Sequence, residues 1–343
     1  MAVCLGGPQQ AVARGVATER RPVETRRVAP YTAAVGEPVS RPMLRPTPVK
    51  RFLTPLEERA FAKYKQRVRS AAGAPAADEI LSPEPLAALG TSFVGLDKPG
   101  SVNNDLALDP PDPIGAKSGD TVLEATNSAI ALYTESGNLF QSKDLNSFFG
   151  APYAGGSLEG VLFDPKVYYD RNSANPRYYA VALQTDFLRF STIWLAVSRS
   201  PEPVTLEAAD WCFYPLEGEY KNAWADYPGL GAGADSLVLS ANQFTYSGGL
   251  FSYAVVRVLD KLAAANNAAA CPSVPVSTFQ ASDTFDDFNA FTLQPAQHYT
   301  SPSSQTGFTN PAYLLSTVYG FSDTYYVWQV MWQAVLRPCA RWP

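Results

Sequence analysis

Over the C-terminal two thirds of the chain, apolar and polar residues alternate in short runs separated by turn residues. Thr121-Val122-Leu123-Glu124-Ala125 and Ala129–Tyr133 flank Thr126-Asn127-Ser128, and the turn Glu135–Asn138 leads into Leu139-Phe140. A second series runs Val167–Asp170, a turn at residues 171–176, then 177–184, 191–198 and, after the loop Ser200–Pro203, an outer run at Trp211–Tyr214. A third has 236–240, 245–246 and 250–258, and a fourth has 291–294, 312–319 and 324–331. Alternation with period two, bounded by Gly, Pro, Asn and Ser, predicts half-buried strands. Gly229–Gly233 reads as a turn, and Ala263–Ser273 as an insertion with a turn of helix.

The runs fall into four blocks that begin alike: PDPIGAKSGDTVLEATNSAIALY from Pro111, FDPKVYYDRNSANPRYYAVAL from Phe163, DYPGLGAGADSLVLSANQF from Asp226, and LQPAQHYT with PAYLLSTVYGF from Leu293. Their lead prolines are Pro113, Pro165, Pro228 and Pro295. Recurrence of a four-strand unit every 50–70 residues is the pattern of propeller blades. The expected fold is therefore all-β and β-propeller-like, with four recognisable blades over residues 111–343. The chain stops at Ala340–Pro343 without turn or cap, so a truncated chain, or last ten residues out of frame, with one or more blades missing, is expected.

The N-terminal part has a different texture. Residues 14–50 are rich in Arg, Pro, Val and Thr without period, which predicts disorder. Thr54-Pro55-Leu56-Glu57 combines a cap, a first-turn proline and a capping-box Glu, and Phe61, Tyr64 and Val68 follow at helical spacing. They predict one helix over 55–72 within a leader of 14–75, and a linker over 76–110. Ala11-Val12-Ala13 fits a signal-peptide cleavage site, so residues 1–13 read as a signal remnant and the protein as secreted or periplasmic. No run of about 18 apolar residues predicts a membrane span.

Charge follows the same division. Residues 1–73 hold 14 Lys and Arg against 5 Asp and Glu, whereas the remainder holds 13 against 27. An acidic body excludes a nucleic-acid surface, which needs clustered cations. The 29 prolines and 12% aromatic residues suit short strands and tight turns. Of four cysteines, Cys212 and Cys271 flank the third block and pair if they lie on the same side of it. The absence of Cys-x-x-Cys spacing leaves zinc and thioredoxin-type readings unsupported.

The stretches Pro110–Leu139, Phe163–Leu183, Trp224–Phe244 and Ala312–Val330 resemble a broad group of secreted bacterial proteins with β-propeller repeats. The resemblance implies the fold and no assigned activity; in such proteins more sequence follows the last block.

Candidate chemistry lies at the block entries. Asp112, Asp164 and Asp226 sit at or beside the lead prolines, where acids from successive blades can meet at a channel mouth, as a glycoside hydrolase requires. The competing role is turn initiation, in which a short carboxylate binds nearby backbone donors. Glu124 is a further acid, facing either the channel or solvent. Trp224, Tyr227 and Tyr168, with Phe163 and Tyr169, are candidate ligand-stacking residues, against a core-packing role for the same types. Asp170 and Asp235 read as turn residues, and the lone His298 as structural. No metal or cofactor is expected, although the three acids leave Ca²⁺ open. The resulting expectation is a monomeric extracellular binding or scaffold protein for a glycan, peptide or surface partner, with a glycan-active hydrolase as the alternative.

Overall fold

A computed structural model describes residues 24–30, 92–96, 110–127, 129–152, 160–171, 175–233, 235–266, 270–280, 290–297, 312–318, 325–331 and 335–342. The chain divides into two units, Thr47–Phe93 and the rest. The expected signal remnant, the 55–72 helix, Cys4 and His298 lie outside the described residues.

The larger unit is built of antiparallel β-sheets, each a meander of consecutive strands. The first contains β2 (Ile114–Lys117), β3 (Thr121–Thr126), β4 (Ala129–Thr134) and β5 (Leu139–Asp144). The second contains β6 (Leu162–Asp170), β7 (Arg177–Thr185), β8 (Ser191–Ser198) and β9 (Trp211–Glu217). The third contains β10 (Ala223–Ala232), β11 (Ser236–Thr245), β12 (Phe251–Asp260) and β13 (Val274–Gln280), with β1 (Glu24–Val28) added at its outer edge. The fourth contains β14 (Ala290–Pro295), β15 (Ala312–Val318), β16 (Tyr325–Met331) and β17 (Val335–Trp342). Among the described residues there are also two short helices, α1 (Leu145–Phe149) after β5 and α2 (Lys261–Asn266) after β12.

Burial explains why the strands differ in pattern. β3 buries alternate residues only, with Leu123 and Ala125 inside and Val122 and Glu124 half-buried. All nine residues of β7 are buried. Its even positions Tyr178, Ala180 and Ala182 enter a core shared with the first sheet, while Tyr179, Val181 and Leu183 enter one shared with the third. A strand covered on both faces reads as a continuous apolar run, and one covered on a single face alternates. A third core joins the third and fourth sheets through Val256, Val258, Leu314 and Trp328. The first strands β2, β6, β10 and β14 lie side by side in chain order. Among the described residues no core joins the fourth sheet to the first.

Four elements differ from the sequence expectation. Gly229–Gly233 is not a turn: Gly229–Ala232 belongs to β10, paired with β11. Its glycines are there for packing, since a Cβ on Gly231 would stand 2.7 Å from the Cβ of Pro295. Strand β13 follows the Ala-rich stretch, of which 261–266 is α2. Residues 335–342, for which no strand was expected, form β17, paired with β16. Within the stretch expected to lack order, Glu24–Val28 forms β1. The expected cysteine pair is bonded: Cys212 of β9 joins Cys271, just before β13, and so fastens the second sheet to the third.

Candidate ligand-binding face

We term the end of the unit where each first strand begins the entry end. The β7–β8, β9–β10 and β11–β12 connections lie there too, because the strands of each meander alternate in direction. Of the eight described non-glycine residues with positive φ, seven are at this end: Asp112, Asp164, Phe187, Lys221, Asn222, Tyr227 and Thr292. Backbone strain of this kind persists only where surrounding structure enforces it, and it concentrates at functional sites.

Four of the seven mark one repeated device. In β6 the register passes from Phe163 opposite Leu183 to Lys166 opposite Val181, so Asp164 and Pro165 together face one residue. The same one-residue bulge places Tyr227 and Pro228 in β10, and Thr292 and Leu293 in β14. In the first sheet Asn127 N–H donates to Pro111 O (2.7 Å) while Ile114 pairs with Ala125, which sets Asp112 and Pro113 in the same place. A bulge bends the first strand and increases its twist where the sheet begins.

This register corrects the sequence alignment. Asp112 and Asp164 occupy equivalent positions, with φ of 42° and 51°. Asp226 stands one residue earlier, opposite Asn242, and the equivalent residue is Tyr227. In the fourth block the lead position belongs to Leu293, not Pro295. Asp112 and Asp164 are brought together through Asn127, whose Nδ2 donates to Asp112 Oδ2 (2.9 Å) and whose Oδ1 accepts from Asp164 N–H (2.6 Å). The third-to-fourth junction repeats the tie: Asn242 Oδ1 accepts from Thr292 N–H (2.8 Å) and its Nδ2 donates to Thr292 Oγ1 (3.0 Å). Asn127 and Asn242 are both buried and were not singled out by sequence. Their signal was the recurrence of Asn near the end of the second strand of each of these sheets.

Glu124 is half-buried in β3, and its Oε2 accepts from Leu96 N–H (2.8 Å), holding Leu96 against the first sheet. Tyr168 is corrected from candidate ligand residue to core: it is 4% exposed and stacks on Tyr179. Tyr169 packs on Tyr178, and burial pushes its hydroxyl up to about 12. Asp170 is corrected from turn residue to buried ion pair, with its Oδ2 2.8 Å from Lys261 Nζ. Burial raises the carboxyl of Asp235 above the ordinary range. Tyr227 is exposed, with the Lys166 ammonium over its ring.

Trp224 belongs to a row of rings across the entry ends of three sheets. Phe163 lies beside Phe187, Phe187 meets Trp224 edge-on at 5.1 Å, Trp224 meets Phe244, Phe244 meets Phe251, and Phe251 meets Phe291 edge-on at 4.9 Å. Trp224 is buried and the other five rings are half-buried. Edge-to-face pairs at this spacing add to the burial energy and restrict ring motion.

The β7–β8 connection was missed from sequence, although apolar residues in a tight hairpin turn are themselves a signal. Asp186 Oδ1 accepts from the N–H groups of Leu188, Arg189 and Phe190 (2.9, 2.8 and 2.9 Å). Thr185 Oγ1 accepts from Phe187 N–H and donates to Phe190 O. Burial pushes the Asp186 carboxyl up, but the backbone donors outweigh it and leave the group below the ordinary carboxylate range. The clamp holds Phe187 at φ 58°, a conformation that bulky residues rarely adopt, and presents Leu188 and Phe190 to solvent, 64% and 39% exposed. Leu250, before β12, is exposed at the same end.

The opposite end is closed by polar ties. Glu202 accepts from Ser118 Oγ, Gly119 N–H and Thr121 Oγ1, joining the second sheet to the first. Lys261 donates to Asp170 and to Gly233 O, joining the second to the third. Among the described residues no group of three or more His, Cys, Asp or Glu is placed to hold a metal ion, and no helix is long and apolar enough to cross a membrane. Comparison with known proteins finds no matching family model and no matching curated relative.

Proposed function

We propose that this is an extracellular binding protein whose sheets are the blades of a β-propeller-like domain and whose entry end engages a peptide or protein ligand. The propeller reading is supported by four-stranded meanders that follow one another in chain order with their first strands adjacent. The disulfide between Cys212 and Cys271 supports an oxidising compartment.

The observation that carries the binding reading is the clamped 186–190 loop, a strained turn that holds apolar side chains in water next to a row of half-buried rings. Rigid aromatic side chains are prominent among the residues that dominate protein interfaces, because little conformational entropy is lost when they are covered. Exposed Leu188 and Leu250 favour an apolar peptide or protein surface over a sugar, which needs polar partners around the stacking ring. The hydrolase alternative has less support. The position of Asp112 and Asp164 is held by Tyr227 and Thr292 in the other two sheets, so what repeats is a backbone conformation and not a carboxylate.

The test is selection from a displayed random-peptide library on the immobilised full chain, with a glycan array in parallel. The proposal expects enriched peptides with shared apolar positions, whose binding falls at least tenfold in the Leu188→Ser/Phe190→Ser variant. Enrichment insensitive to that variant, or binding confined to glycans, overturns it.

A further inference from the structure

The third sheet differs from the others in one respect: its four-stranded meander carries a fifth strand taken from the far N-terminal segment. β1 runs antiparallel to β13, with Arg26 opposite Val276 and Val28 opposite Val274. It is separated from its partner strand by the whole of the first two sheets, so no turn sets its register.

β13 does not need β1 to stay in place. It pairs with β12 on its other side, from Val255–Leu259 to Val276–Gln280. The segment before it is fixed by the disulfide to Cys212 and by the Tyr214 hydroxyl, which donates to Pro272 O (3.0 Å). An acceptor edge is therefore held ready by contacts that are independent of its occupant. An edge of this kind binds any extended segment that satisfies its N–H and C=O groups and the side-chain positions beside it.

Two side chains of β1 give it selectivity. Val28 is 8% exposed and completes the core between the second and third sheets, beside the buried Val274 and Val276. Two residues earlier on the same face, Arg26 Nη1 lies 2.9 Å from Glu217 Oε2 at the end of β9. The matching ligand is an extended segment with a cation two positions before a β-branched apolar residue. The acidic body and basic N-terminal part of this chain are complementary in the same sense. The segment is five residues long, and its Arg26–Glu217 ion pair joins half-exposed groups, a kind of pair worth little in water. A short edge strand held this way opens far more readily than the core strands beside it.

We propose that the outer edge of the third sheet, bounded by β13 and Glu217, is a strand-acceptor site for the Glu24–Val28 segment, and that copies of the chain exchange this segment through it. The inference does not rest on the peptide-binding reading of the entry-end face.

The test uses two full-length charge-reversed variants. In Arg26→Glu, acids meet at the acceptor edge; in Glu217→Arg, bases meet. Mixed together, each variant supplies the segment that the other accepts. With one copy affinity-tagged, retention of the untagged partner from the mixture is expected to exceed self-retention of either variant at least fivefold. The double variant Arg26→Glu/Glu217→Arg, in which the pair is restored with reversed sign, is expected to retain wild-type chain less well than it retains itself. Adding Val28→Asp to both copies is expected to reduce retention to background, with the thermal transition of each variant showing that the body is folded. If either charge variant fails to fold, tagged and untagged wild-type chains replace the pair, with Val28→Asp as the baseline. Retention equal to that baseline, in the mixture or in the wild-type replacement, overturns the proposal.

Discussion

At the scale of single residues, the entry end is a place where the backbone is held against its preference. A non-glycine residue at φ near 50° costs about 1–2 kcal/mol, and a following proline restricts it further. Asp112 and Asp164 tolerate the conformation better than most residues, which accounts for two carboxylates at the bulges without invoking catalysis. Tyr227, at φ 52° with an exposed ring, has no such excuse. Tyr227→Gly is expected to raise unfolding stability by ~0.5–1 kcal/mol in urea titration, whereas Tyr227→Ala, which keeps the strain and loses the ring, does not. Asp186 offers a second test at this scale. Its carboxyl lies below its unfolded value in the folded chain, so it adds stability in full above pH ~4 and loses that contribution as pH falls through the folded value. Between pH 6 and pH 3 the urea midpoint of Asp186→Asn is expected to fall less steeply than that of the wild type. The Asp-Pro pairs were visible in the sequence, but their equivalence to Tyr227-Pro228 and Thr292-Leu293 was not, because the shared property is a dihedral angle that four different residues adopt.

At the scale of elements, the strands most legible in the sequence were those with one half-exposed face or a dense apolar run. β3, β4, β7 and β8 fall within two residues of the expected bounds. β10 was lost because Gly229, Gly231 and Gly233 look like turn punctuation. The structure uses Gly229 and Gly231 for close approach of β10 to β14 at Pro295, which no local pattern reports. Gly231→Ala is expected to cost about 1–3 kcal/mol by forcing the two first strands apart, measurable as a lowered urea midpoint with unchanged slope. β1 was hidden for a different reason: five residues of an Arg-rich segment have no strand character of their own and are ordered by the edge on which they lie.

At the scale of the whole molecule, sheets stacked in chain order each share a core with the next, and the entry end and the opposite end of their strands have different characters. One end is fastened by polar ties from Glu202 and from the buried Lys261, and the other presents rings and a strained apolar loop. The junction of the second and third sheets also carries the disulfide, which closes a loop of 59 residues in sequence separation. Its replacement by Cys212→Ser/Cys271→Ser is expected to lower stability by ~2–4 kcal/mol and to leave the far-ultraviolet dichroism unchanged. The β class was legible because it depends on periodicity. The entry-end face was not, because it is assembled from a hairpin turn, three first strands, a second strand and a third strand that are distant in sequence.

The most direct measurement of that face is hydroxyl-radical footprinting of the full chain with and without a peptide enriched by it. The account predicts protection of Leu188, Phe190, Leu250 and Tyr227, with no change at the opposite end around Val204 and Leu139. Protection at Val204 and Leu139, with Leu188 and Phe190 as reactive as in the free protein, would contradict it.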